Sequence, residues 1–163
     1  MVEYAIRDVT DADAQQVVDI FNHFVLNSFA AYPNREVGLE FFHKLRRMAE
    51  GYPFLVVEVG RGLVGFALLR PYHSSETFKS TGVLTYFIMP EYTGLGLGSE
   101  LLKVLVQAAR ARGIEHLLAT ISSRNEQSLR FHRKHGFVEC GRLRNIGTKF
   151  GERFDVVWVQ RSL

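Results

Sequence analysis

The spacing of apolar positions changes repeatedly along the chain, and each change predicts an element. "EYAIRDV" alternates well enough for a first strand. Thr10 then reads as a helix N-cap, with Asp11 and Asp13 placed to meet the positive end of the helix dipole. Ala14, Val17, Val18, Phe21, Phe24 and Val25 recur at helical spacing until "SFAAYPNREV" breaks the pattern at Pro33. Leu39, Phe42, Leu45 and Met48 predict a second, shorter helix. "PFLVVEV" and "LVGFALLRPY" read as strands joined by a Gly60-Arg61-Gly62 turn, and "STGVLTYFIMP" as a third strand ended by Pro90. A helix follows over about residues 97–112, with Leu101, Leu102, Leu105, Val106 and Ala109 on one face and Gly113 as its stop. "HLLATIS" is a strand, "NEQSLRFHRKHGF" a short helix opening near Asn125 and capped by Gly136, and "VECGRLRNI" with "FDVVWVQ" a closing pair of strands.

The order is βααβββαβαββ. Hairpin signals argue for antiparallel pairing, and the strand-helix-strand segment argues for a crossover. The expected fold is therefore α/β (α+β), a mixed and mostly antiparallel sheet of about seven strands flanked by about four helices. No repeat, linker or low-complexity segment interrupts the 163 residues, so residues 1–163 read as one domain.

Composition narrows the function classes. Cys140 is the only cysteine, which rules out an intrachain disulfide. With no leader-like apolar region at the acidic N-terminus, a cytoplasmic location is expected. No apolar run is long enough for a membrane span. The net charge of +3 is uneven: residues 1–90 hold 8 Lys+Arg against 10 Asp+Glu, so the surplus of cations lies in the second half. An anionic ligand there is reasonable, whereas no basic cluster with interleaved aromatics suggests nucleic acid. His132 and His135 are three apart on a helix but lack a third ligand, so no metal is expected.

The basic half opens with "MPEYTGLGLGSELL", in which Gly94, Gly96 and Gly98 alternate with larger residues just before a helix. Uncovered amides at a helix N-terminus bind phosphate oxygens. A P-loop is excluded because Gly98 is followed by Ser99-Glu100 rather than Lys-Ser/Thr. A dinucleotide fingerprint fits poorly, because its last glycine is Ser99 and the loop follows several strands and helices.

The stretch resembles the acyl-coenzyme A signature of the GNAT superfamily of N-acetyltransferases, with Gly96-Leu97-Gly98 on its glycines. "NEQSLRFHRKHGF" is similar to that family's second motif. "IRDVTDADAQQVVDIFNH" and "GTKFGERFDVVWVQ" resemble the start and end of the branch holding phosphinothricin and methionine sulfoximine acetyltransferases. The resemblance implies acetyl-CoA as co-substrate, a primary amine of a small molecule as acceptor, and a homodimer. It implies that the fourth and fifth strands splay, that Ile88 and Met89 offer backbone groups to pantetheine, and that amides from Thr93 through Gly94, Leu95, Gly96, Leu97 and Gly98 to Ser99 hold the pyrophosphate. Asn125 and Ser128 would touch the cofactor further along. His132 stands where the branch has a histidine that protonates the leaving thiolate or contacts the thioester. Phe29 and Tyr32 would border the acceptor pocket.

The sequence departs from the branch at three places. Thr93 and Leu95 replace residues that usually supply donors or charge near the phosphates. Val83 stands where the branch has the glutamate that accepts the amine's proton, and valine cannot do so. Glu58, mid-strand among apolar residues, and Glu76, in the loop beside the expected acceptor site, are the candidate replacements; His73 lies near Glu76. Each has a plainer reading as a solvent-facing residue. Two functions follow: an acetyltransferase, or a degenerate member that binds acyl-CoA with little turnover.

Overall fold

The computed structural model describes residues 2–163. The observed order matches the predicted one. β1 (Ala5–Asp8) leads to α1 (Ala14–Asn27) and α2 (Leu39–Met48). Then come β2 (Phe54–Val59), β3 (Gly62–Pro71), β4 (Thr81–Ile88), α3 (Leu97–Ala111) and β5 (His116–Ser122). α4 (Glu126–Lys134), β6 (Val138–Lys149) and β7 (Glu152–Ser162) complete it. The seven strands form a mixed sheet in the order β1-β2-β3-β4-β5-β7-β6, antiparallel throughout except for β4 with β5.

Both faces of the middle strands are covered, which explains why β2 and β3 read as near-continuous apolar runs. Successive residues of a strand point to opposite faces. Phe54, Val56, Phe66 and Leu68 share a core with Val17, Val18, Phe21 and Val25 of α1 and with Phe42 and Leu45 of α2. Leu55, Val57, Ala67, Leu69 and Leu84 share the other with Leu97, Leu101, Leu102, Leu105, Val106 and Ala109 of α3.

Two local expectations change. Thr10 caps only a 3-10 turn over Asp11–Asp13, after which α1 begins. Asp13 does not serve the dipole of α1. Its carboxylate accepts from the Thr10 amide (2.8 Å) and from both terminal nitrogens of Arg7 (2.8 and 2.9 Å). The closing strands are longer than the alternation suggested. Phe150 and Gly151, both at positive φ, make the two-residue turn between them, a geometry that matches the twist of a hairpin. The register slips between Leu143 and Gly147, and Gly147 lies beneath the Phe154 ring, where a Cβ would clash.

Candidate active site

The parallel β4–β5 pairing is short. Thr81, Gly82 and Val83 face His116, Leu117 and Leu118, and then the strands part. Beyond Val83, β4 pairs only with β3, while β5 continues against β7. The gap opens a cleft of about 860 Å³. Phe21, Phe24, Phe29, Tyr32 and Phe41 line one side, and Gly94, Gly96, Gly98, Ser99, Asn125, Ser128 and His132 line the other. Its charged residues are Arg70, Arg124 and Lys134, with no aspartate or glutamate among the lining side chains.

The glycines act in two different ways. Gly96, the residue before α3, has φ 86°, and nothing lies within 4 Å of where its Cβ would be. A left-handed backbone there aims the following amides outward at little steric penalty. The first amide of α3 to find a carbonyl is Glu100 N, 3.1 Å from Gly96 O. Among the described residues, the amides of 94–99 donate to no backbone carbonyl. Gly98 is different: a Cβ there would sit 3.3 Å from the Phe131 ring and 3.6 Å from Ile88. It is glycine because α4 packs against the start of α3.

Several expected contacts are already occupied. The Thr93 amide donates to Pro90 O (3.1 Å), and its hydroxyl to the same oxygen (2.8 Å), so Thr93 does not offer an amide to the pyrophosphate. Met89 N donates to Val64 O (2.8 Å), and Met89 O accepts from Tyr92 N (2.9 Å). Its amide is therefore taken, its carbonyl keeps a second lone pair, and its side chain packs with the α1–α2 core. Ile88 does line the cleft. The Leu95 side chain points to solvent and that of Leu97 into the core, which leaves only their amides as potential donors.

Asn125 caps α4, its Oδ1 accepting from Ser128 N at 3.2 Å. Ser128 in turn orients His132: Nδ1 of the ring lies 2.7 Å from Ser128 O. A carbonyl only accepts, so Nδ1 carries the proton. Nε2 of the neutral ring is then the acceptor, and the Tyr86 hydroxyl, 2.6 Å away, donates to it. The imidazole is 3% exposed, and burial pushes its pKa below the ordinary value. Burial also raises Tyr86 well above that of a free phenol. Both groups are thereby held neutral, and although His132 lines the cleft, its Nε2 is taken by the Tyr86 hydroxyl. Tyr86 was not anticipated; on β4 it reads as one more apolar-strand aromatic.

The two candidate carboxylates lie elsewhere. Glu58 accepts from Arg7 Nε at 2.9 Å and is not among the lining residues. Glu76 is exposed on a 3-10 turn over Glu76–Phe78, also off the cleft. His73 accepts from the Ser75 amide in the same loop. Phe29 and Tyr32 do border the cleft; Phe29 meets the Phe154 ring edge-on and Tyr32 stacks on it, with centroids 5.9 and 5.8 Å away. Lys149 fixes their loop from below, donating to Ser28 O (2.7 Å) and Ala31 O (2.6 Å). Among the described residues, no group of three His, Cys, Asp or Glu is placed to hold a metal, and no helix is long and apolar enough to cross a membrane.

A splayed strand pair beside free amides at a helix start is the arrangement that the glycine motif implied. The model of the acetyltransferase (GNAT) family matches residues 15–137. The chain belongs to the GNAT acetyltransferase family. It is 33% identical to the L-amino acid N-acyltransferase MnaT of Escherichia coli (strain K12), over 98% of this chain and 94% of that protein. It is 32% identical to the L-methionine sulfoximine/L-methionine sulfone acetyltransferase of Salmonella typhimurium, over 97% and 94%. The crystal structure of a GNAT phosphinothricin acetyltransferase from Sinorhizobium meliloti, in complex with AcCoA, superposes with a TM-score of 0.90. It is 28% identical, and the match covers 98% of this chain and 88% of that one.

Proposed function

We propose that this protein transfers an acetyl group from acetyl-CoA to the primary amine of a small molecule, an amino acid or amino-acid analogue. The observation that carries the reading is the β4–β5 opening, set directly against the unpaired amides at the start of α3. The names of the relatives support the acceptor class.

The amides of Gly94 to Ser99 would hold the pyrophosphate, and the Ile88 backbone, with Asn125 and Ser128 nearby, the pantetheine arm. When bound, acetyl-CoA supplies an acetyl thioester open to attack by a neutral amine. The chain's own part is proton handling. With no carboxylate in the cleft, Tyr86 Oη is the atom placed to take a proton from the acceptor nitrogen while its own proton moves to His132 Nε2. The reverse movement returns a proton from Nε2 through Oη to the departing sulfur, so the pair ends as it began. Ser128 O stabilises the transient imidazolium by holding Nδ1–H.

Residues 1–163 form a single catalytic domain in this reading, working in the cytoplasm as a homodimer. Edge strand β6 supports the dimer: it carries Val138, Leu143 and Ile146 at 69%, 49% and 59% exposed beside an unpaired strand edge that a second chain could cover.

A thiol-release assay with acetyl-CoA over a panel of L-amino acids and their analogues tests the function. Release that depends on an amine is expected. Saturable acetyl-CoA binding with no release for any amine would instead mark a binding protein.

A further inference from the structure

Arg70, near the end of β3, is directly opposite Val83 of β4. Residues paired across two strands point to the same face. Here that face carries Phe87, packed edge to ring with Phe21 of α1, and Phe66, tilted against Phe87, so Arg70 belongs to the aromatic side of the cleft. Val83 is also the last β4 residue paired with β5. The guanidinium therefore stands at the inner end of the opening, where the acetyl group and the acceptor must meet.

Arg70 is half-buried, and among the described residues it has neither a hydrogen-bond nor an ion-pair partner. Of the other half-buried arginines, Arg7 binds Asp13 and Glu58, whereas Arg161 is likewise without a side-chain partner among the described residues but does not line the cleft. A partly desolvated, unpaired cation is unfavourable unless a ligand completes it. No acid lining the cleft can do so. A guanidinium is planar and presents paired N–H donors that match a carboxylate in two-point contact.

We infer that Arg70 anchors a carboxylate carried by the acetyl acceptor, on the same small molecule as the reacting amine. The inference rests on the acetyltransferase reading for the position of the amine, and it names the group that selects the substrate. The aromatic rings on the Arg70 side of the cleft then hold the acceptor's apolar side chain, while Arg70 holds its acid. Val83 fits this assignment. A carboxylate at position 83 would pair with Arg70 in the empty cleft and compete with the substrate.

The test uses L-methionine sulfone and L-phenylalanine, each against its own carboxamide, compared per mole of neutral amine. Binding to the CoA-loaded protein is read by calorimetry and turnover by thiol release, for wild type, Arg70→Gln and Arg70→Lys. Wild type is expected to favour the acids. Arg70→Gln should reduce the acid-over-amide preference about 10- to 150-fold, the range for one charge-assisted contact, and Arg70→Lys should restore part of it. Equal loss for acid and amide would make Arg70 a structural residue, and a wild type without preference, or without binding of either acid, would overturn the inference. Failure of acetyl-CoA itself to bind would overturn the acetyltransferase reading instead, while the acid-over-amide binding comparison would still decide the role of Arg70.

Discussion

The Tyr86 hydroxyl lies 2.6 Å from His132 Nε2, and the bond has a fixed direction because Ser128 O takes the proton of Nδ1. Removing the hydroxyl leaves Nε2 without its donor and breaks the Tyr86–His132 proton path. Tyr86→Phe should lower kcat about 10- to 100-fold with a small change in acetyl-CoA affinity. A melting curve checks the fold alongside. An unchanged kcat with a lowered Tm would reduce the pair to packing.

The same geometry sets a pH dependence. Burial holds the His132 pKa below its ordinary value, so the ring stays ready to accept a proton at neutral pH. Turnover should fall with acidification only below about pH 6.5, the unperturbed histidine value. On the alkaline side it should rise with ionisation of the acceptor's own ammonium. Stability follows with the same sign. The unfolded chain protonates this histidine near pH 6.5 and the folded chain resists until lower pH, so the fold loses stability as pH drops through that window. A kcat/KM profile for two amines of different pKa checks the first point. Urea melts of wild type and His132→Gln between pH 7 and pH 5 check the second.

Gly96 and Gly98 should fail differently when substituted. Gly96→Ala forces a side chain onto φ 86° in open space, a strain of roughly 1–2 kcal/mol. The relief is to turn the amides of the loop, so acetyl-CoA affinity should fall more than Tm. Gly98→Val presses on the Phe131 ring 3.3 Å away, and both Tm and affinity should fall. Calorimetry and thermal melts on the two variants separate the effects.

Arg7 joins Asp13 and Glu58 far from the cleft, which predicts stability without catalysis. Its hydrogen bonds, more than the burial that opposes them, pull the Asp13 pKa from 3.8 down to about 2. A depressed carboxylate pKa stabilises the fold above the unfolded value and loses that contribution as pH falls from about 3.8 through 2. Asp13→Asn should remove roughly 2 kcal/mol at neutral pH, the equivalent of that shift. Glu58→Gln should leave kcat/KM unchanged. A large loss of turnover in that variant would put a carboxylate back into the chemistry.

Element order was legible because each element carries its own period: 3.6 in α1 and α3, continuous apolar runs in β2 and β3, and Gly or Pro at nearly every boundary. The phosphate loop was legible because glycines before a helix have few other uses. The chemistry was less so. Tyr86 and His132 are 46 residues apart, and only the splay of β4 brings them together. Arg70 gains its meaning from standing opposite Val83, a cross-strand register that no local pattern encodes. Glu58 looked out of place among apolar neighbours, yet its reason lies in Arg7 on the adjacent strand. The amides of Met89 and Thr93 sit where the resemblance implies contacts, but local backbone bonds already take both.

Restoring the branch's glutamate tests how Val83 and Arg70 depend on each other. Taken alone, position 83 is a missing base, and Val83→Glu should then raise turnover near neutrality. The register argues otherwise. Val83 is 3% exposed and directly opposite Arg70, so a glutamate there meets a guanidinium that has no other partner among the described residues. An opposite charge at that range favours the ionised carboxylate and lowers its pKa, which makes it a weaker proton acceptor. The ion pair also removes the cation from the acceptor. Val83→Glu should therefore raise KM for acidic acceptors, with no new basic limb near pH 7, and turnover should not improve. The double variant Val83→Glu/Arg70→Gly frees the carboxylate, so a limb should appear there while the acid-over-amide preference stays lost. If the single variant already gains activity on acids at pH 7, Arg70 is not available to either carboxylate, and its role as anchor is wrong.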